Sequence, residues 1–207
     1  VLAVNPNVVV VLFNGRPLDL REISAKAKAI LEVWFPGTEG GSAVVDVLNG
    51  KKNPSGHLPM SFPYCVGQAP VSYNEYSTGR PNLPGMKERF RSKYLDIPNA
   101  PLYPFGYGLT YGKTEVTKAE MRDDGEHYTI TATVKNEGCA VHEILQVYVR
   151  DNESKFAVRN HSLCAFKAVS LGANETCDVE ITVPKTALEI VDDTGTRRVD
   201  SRSFTFF

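Results

Sequence analysis

Val8-Val9-Val10-Val11-Leu12-Phe13 is an unbroken apolar run, set between Asn5-Pro6-Asn7 and the turn Asn14-Gly15. Four consecutive valines favour extended backbone, because a β-branched side chain keeps its preferred rotamer on a pleated surface. A continuous run, as opposed to an alternating one, is what a strand covered on both faces of an α/β sheet requires. Outward from it, Leu18 to Lys28 supplies a crossover helix or turn. Ala29-Ile30-Leu31-Glu32-Val33-Trp34-Phe35 then stops at Pro36-Gly37. The spacing of Ala27, Ile30, Leu31 and Trp34 also suits a helix end, but Val33-Trp34-Phe35 and the abrupt Pro-Gly stop favour a second buried strand. Gly40 to Leu48 reads as a helix with Ala43, Val44, Val47 and Leu48 on one stripe. Thr38 or Ser42 is suited to cap its start, and Gly50 lies where a left-handed stop is common.

From Tyr64 to Gly112 the chain is rich in Gly, Pro, Tyr and Asn and shows no period, an unusual length for a structureless stretch in a compact domain. The pattern changes after Gly112. Residues 128–136, 143–151, 163–169 and 177–183 alternate apolar and polar, Ser203 to Phe207 begins a further strand, and Val116 to Met121 adds one at an edge. Short alternating strands with turn-rich links predict an antiparallel β-sandwich. Charge divides at the same place. Residues 1–112 hold 11 Lys/Arg against 8 Asp/Glu, and residues 113–207 hold 12 against 16. The expected organisation is therefore a partial α/β three-layer sandwich over 1–112, with its long irregular segment, followed by an all-β sandwich over 113–207.

Composition narrows the function classes. A net charge of -1 gives no reason to expect nucleic acid as a partner, and no apolar run approaches the roughly 18 residues of a membrane span. Cys65, Cys139, Cys164 and Cys177 form no CxxC pair, and His57, His127, His142 and His161 are scattered, so no metal spacing and no cofactor motif is expected. The cysteines read as reduced thiols, with the cytoplasm as the favoured compartment and secretion or the periplasm left open. Both ends read as cut: Val1 to Asn7 as the close of one element, Ser203 to Phe207 as an unfinished alternation.

Seven strings, in order, carry a resemblance. Phe13-Asn14-Gly15-Arg16-Pro17-Leu18, Trp34-Phe35-Pro36-Gly37-Thr38-Glu39-Gly40-Gly41, Asn53-Pro54-Ser55-Gly56-His57-Leu58-Pro59-Met60-Ser61-Phe62-Pro63 and Leu102 to Tyr111 resemble the turns and linker of family 3 glycoside hydrolases of the β-glucosidase type. Thr131 to Gly138, Gln146 to Asp151 and Phe166 to Leu171 with Asn174-Glu175-Thr176 resemble strands of that family's fibronectin type III-like (immunoglobulin-like) domain. The resemblance implies a parent with an upstream barrel and α/β domain as this segment's partners, and a retaining hydrolysis of β-glucosides or oligosaccharides with terminal β-linked glucose or xylose. It implies a nucleophile Asp in the barrel and an acid/base Glu upstream of Val1. Neither is carried onto a position here.

Among the residues present, Asn14 and Arg16 follow a strand end, where α/β sheets bind ligands, and are the expected substrate-facing wall of the parent's cleft. The competing reading is a turn residue and an ion-pairing arginine. Glu39 precedes a helix start, where the dipole favours an anion, the opposite of what a general acid needs. Arg91, Tyr94 and Asp96 read as loop-ordering residues, and Tyr103, Phe105, Tyr107 and Tyr111 as packing for a linker in preference to a sugar platform. Asn152, Asn160 and Asn174 begin glycosylation sequons, expected to be unmodified. Two other functions stand beside the hydrolase part: a carbohydrate-binding module, with Tyr148 and Phe156 as its aromatics, and a structural or homodimer-forming domain.

Overall fold

The computed structural model describes residues 1–83 and 85–207. Its contacts separate into two compact units: one built from Val1–Asn53, His57–Ser72 and Lys93–Tyr107, the other from Pro54–Gly56, Tyr73–Ser92 and Gly108–Phe207. Grouping in space is thus not contiguous in sequence. Residues 73–92, within the irregular stretch, associate with the all-β unit.

In the first unit, β1 (Val9–Leu12) and β2 (Ala29–Glu32) pair in parallel, joined by α1 (Arg21–Lys26), and α2 (Gly40–Leu48) follows. Parallel neighbours need a crossover connection, and α1 supplies it. Both preferred strands and the helix of the sequence reading are present. Their expected burial is not: Val9 is 48% and Phe13 61% exposed. The reason is the size of the sheet. β1 has only β2 beside it among the described residues, and neither strand holds a fully buried residue, so neither is covered on both faces. The capping expectation is also corrected. Glu39 occupies the position before α2, and no side chain caps it. The chain enters the helix through a backbone turn at Gly37 (φ 71°), whose carbonyl accepts from the Gly40 N–H at 3.2 Å. At the other end Gly50 (φ 71°) donates to the Val47 carbonyl and Lys51 to that of Asp46, each at 2.9 Å. That bonding pair satisfies two carbonyls the helix leaves open, and it requires the left-handed residue that glycine provides.

The rest of this unit is held by buried polar and aromatic groups. Gln68 is 2% exposed. Its amide nitrogen donates to the carbonyls of Pro98, Asn99 and Ala100 at 3.0–3.2 Å, and its oxygen accepts from the Tyr64 N–H at 2.6 Å. Phe62 and Tyr103 exchange backbone bonds, Leu58 pairs with Tyr107, and the rings of Trp34 and Tyr103 pack on Phe62 at 5.8 and 6.5 Å.

The second unit is a sandwich. One sheet has the order β3 (Lys113–Asp123), β4 (His127–Glu137), β7 (Thr176–Pro184), and the other has β10 (Phe204–Phe206), β5 (Val141–Asp151), β6 (Ser162–Leu171), all antiparallel. Strand alternation places Ile130, Ala132, Val134, Val147, Val179, Ile181 and Val183 in a single core. Each fully buried aliphatic side chain contributes about 1.5–3 kcal/mol. A short hairpin of β8 (Ile190–Val191) and β9 (Arg197–Arg198), absent from the sequence reading, is organised by Asp192, whose carboxylate accepts from the N–H groups of Thr194 and Thr196 at 2.9 Å.

Asn136 is the polar pin of this unit. It is fully buried, and its amide nitrogen donates to the carbonyls of Cys139 and Gly172, both at 2.8 Å. Those turns end two opposed sheets. Removing the amide takes the donor from two part-buried carbonyl bonds, each worth about 1–2 kcal/mol. Asn136→Ala is therefore expected to lower the unfolding free energy by roughly 2–4 kcal/mol in urea titration, and an effect below about 0.5 kcal/mol would contradict this role.

Candidate functional site

The carboxy ends of β1 and β2 bring Asn14, Glu32, Trp34 and Phe35 together. Glu32 ends β2, and its two carboxylate oxygens are both engaged. One accepts from the Asn14 amide nitrogen at 2.9 Å and the other from the Trp34 N–H at 2.9 Å. Asn14 in turn accepts from the Arg16 N–H at 3.2 Å, closing a local turn. Trp34 has φ 50°, a left-handed conformation that a bulky side chain adopts only when its surroundings impose it. Here the Glu32 carboxylate holds the Trp34 N–H while the indole packs on Phe62. The reversal swings Phe35 out. Its ring lies over Gly15, where an added Cβ would meet it at 2.7 Å, and it remains 81% exposed.

The expected site residues separate. Asn14 is at the strand end, but its side chain is committed to the Glu32 bond and to its own turn. Arg16 is exposed beside it. Glu39 is exposed at the start of α2, away from any capping bond. Arg91 pairs with Glu88 at 3.4 Å, and the Tyr94 N–H donates to Asn99 at 3.0 Å, so both order their own loops. Tyr103 bonds Ser24 at 2.6 Å and packs on Tyr107 at 5.1 Å, while the Phe105 N–H donates to Ser61 at 3.0 Å. These aromatics are packing groups inside the first unit. In the sandwich, Tyr148 meets Tyr73 and His161 at 6.1 and 5.7 Å, and Arg198 lies over Phe156 at 5.7 Å. Of the sequon asparagines, Asn152 donates to Ser203 and Thr205, and Asn174 (φ 56°) accepts from the Gly138 N–H.

Glu32 is the residue that sequence reasoning passed over. Its signal was present: a lone carboxylate inside the apolar run from Ala29 to Phe35 has to find a partner. Among the described residues no cluster of His, Cys, Asp and Glu is arranged to hold a metal ion, and no helix is long and apolar enough to cross a membrane.

The chain belongs to glycosyl hydrolase family 3: residues 1–111 match that family's C-terminal domain, and residues 143–207 match a fibronectin type III-like domain. It is 42% identical over 189 residues to a periplasmic beta-glucosidase of Salmonella typhimurium, covering 87% of this chain and 24% of that protein. It is 35% identical to a beta-xylosidase of Formosa agariphila, covering 96% and 27% respectively. The crystal structure of a beta-glucosidase from Listeria innocua in complex with gluconolactone superposes with a TM-score of 0.93 at 39% identity, over 100% of this chain and 29% of that one. The chain thus spans about a quarter of the length of the curated relatives it matches.

The Glu32 arrangement has a direct reporter, because Trp34 is the single tryptophan. Glu32→Gln turns one acceptor into a donor facing a donor. It is expected to cost about 1–3 kcal/mol and to shift Trp34 emission to the red as the turn loosens. An unchanged emission maximum and unchanged stability would show that the carboxylate does not hold the turn.

Proposed function

We propose that this chain is the carboxy-terminal scaffold of a β-glucosidase-type enzyme that releases terminal β-linked glucose, or the closely related xylose, by a retaining mechanism. Such chemistry uses two carboxyl groups about 5–5.5 Å apart, one as nucleophile and one as acid/base. On this reading both belong to the remaining three-quarters of the parent, and the residues here set the shape of a cleft wall. The observation that carries it is the bare end of the parallel pair. Val9, Phe13 and Phe35 are exposed beside Asn14 and Arg16, on a two-stranded sheet of the kind that elsewhere is covered on both faces. An apolar rim of this sort marks a surface made to meet further polypeptide. The names of the relatives, a beta-glucosidase and a beta-xylosidase, support the substrate class.

A carbohydrate-binding sandwich is the weaker reading, since Tyr148 and Phe156 are both covered by neighbouring side chains. The exposed rim also favours self-association of the chain by itself, including a homodimer.

The isolated chain is expected to give no release of nitrophenol from a nitrophenyl β-glucoside above the rate without protein, and Glu39→Gln to leave that blank unchanged. Turnover by the chain alone that Glu39→Gln abolishes would overturn the assignment. Light scattering should report association that weakens when Phe13 and Phe35 are replaced by serine.

A further inference from the structure

The sequence holds two Asn-Gly pairs, Asn14-Gly15 and Asn49-Gly50, and the fold treats them oppositely. Asn-Gly is chemically labile because glycine has no Cβ to shield its amide nitrogen or to restrict its backbone. That nitrogen, once it has lost its proton, attacks the side-chain Cγ of the preceding asparagine. A new N–Cγ bond forms, the Cγ–Nδ2 bond breaks, and Nδ2 leaves as ammonia. Water then opens the five-membered succinimide at either of its carbonyls, giving aspartate or isoaspartate. The reaction consumes only water. It requires a side chain free to turn and a nitrogen free to approach it.

At Asn14 both are restrained. Its amide nitrogen donates to Glu32 at 2.9 Å, and its oxygen accepts from the Arg16 N–H at 3.2 Å. The Phe35 ring lies over Gly15, 2.7 Å from where a Cβ would sit, and covers one approach to that residue. Glu32 opposes the reaction by charge as well. The glycine amide anion and the oxyanion that forms on attack are both negative, and a carboxylate bonded to the same side chain repels them. At Asn49 these restraints are missing. The residue is exposed at the carboxy end of α2, and among the described residues no hydrogen bond holds its side chain. Gly50 is exposed too, and a Cβ added to it would meet nothing within 4 Å. The Gly50 N–H is occupied by the Val47 carbonyl at 2.9 Å, but that bond lies in the last turn of an exposed helix end, where local opening costs least.

We propose that Asn49-Gly50 is the chain's site of spontaneous deamidation, and that the Glu32 tether guards Asn14-Gly15 from the same reaction. The two sites differ in consequence. Conversion at Asn49 places a carboxylate at the carboxy end of α2, where the helix dipole disfavours an anion. An isoaspartyl link also lengthens the backbone by one methylene, which displaces the Gly50 and Lys51 N–H groups from the Val47 and Asp46 carbonyls. Conversion at Asn14 sets a second carboxylate against Glu32, the residue that holds the Trp34 N–H.

The test is ageing of the 207-residue chain in mildly alkaline buffer, read by peptide mapping with mass spectrometry and by enzymatic methylation of isoaspartate. In the native chain the Asn49 peptide should convert at least about tenfold faster than the Asn14 peptide, and in concentrated urea the two rates should converge because the restraints are gone. Asn14 converting as fast as Asn49 in the native chain, or a gap that persists in urea, would overturn the proposal. Glu32→Gln should raise conversion at Asn14 several-fold and leave Asn49 as it was. A rise at neither site, or an equal rise at both, contradicts the guard. Asn49→Gln should remove most of the isoaspartate that the native chain forms, and an undiminished yield would place the labile site elsewhere.

Discussion

A parallel β-ladder is stable in water when other layers cover both of its faces, because its strands are apolar on both sides. β1 and β2 satisfy half of that condition. They pair with each other over four residues and have α1 as their crossover, yet Val9 and Phe13 face outward. The sandwich obeys a different rule. Its antiparallel strands turn one apolar face inward, so two three-stranded sheets bury each other's inner residues. One chain therefore joins a unit with a buried aliphatic core to one whose strands are only partly covered. The first unit compensates with polar fastenings: Gln68 closing on three carbonyls and Phe62 exchanging backbone bonds with Tyr103. Such bonds fix geometry well, but each adds only about 0.5–1.5 kcal/mol net.

The legible parts of the fold were those written in local periodicity. Residues 177–183 alternate strictly, and they form β7 with Val179, Ile181 and Val183 inward. Gly50 follows α2 in the left-handed conformation its type predicts, whereas β2 stops at Glu32, ahead of the left-handed Trp34 and short of Pro36-Gly37. The illegible parts were set by partners distant in sequence. Gln68 acts on carbonyls 30–32 residues away, Tyr73 on an amide 90 residues away, and nothing local in either string announces those bonds. The burial of Val8 to Phe13 was misjudged for a related reason. Composition reports what a strand requires, whereas burial depends on which neighbours are present.

At the strand ends, the sequence pointed to Asn14 and Arg16, and the structure gives the central position to Glu32. The difference is instructive about Asn-Gly turns. Asn14 was readable as a turn residue because its side chain can bond its own backbone two residues on, and it does so with the Arg16 N–H. The oxygen being used there, its amide nitrogen donates to Glu32 and becomes a tether to the next strand. The same carboxylate fixes a tryptophan in a conformation that side chains of its size avoid. Backbone strain at one turn is thus held by a polar contact that also serves the adjacent turn, so the two rim loops are mechanically one object.

That coupling bears on what the rim can do chemically. A general acid must keep its proton until the leaving group takes it, and a nucleophilic carboxylate must hold an oxygen lone pair open toward the anomeric carbon. Glu32 has each oxygen committed to a donor, at 2.9 Å in both cases. Both oxygens are taken up by donors of the fold itself, the Asn14 amide and the Trp34 N–H. What the arrangement does provide is rigidity. Binding residues held by packed and hydrogen-bonded neighbours lose little freedom when a ligand or a neighbouring domain docks. An exposed Phe35 carried on a turn that Glu32 and Trp34 lock is that kind of surface. The proposed place of this chain in a glycosidase rests on that physical distinction: its carboxylate holds the shape of a wall, and the reacting carboxyls are sought elsewhere.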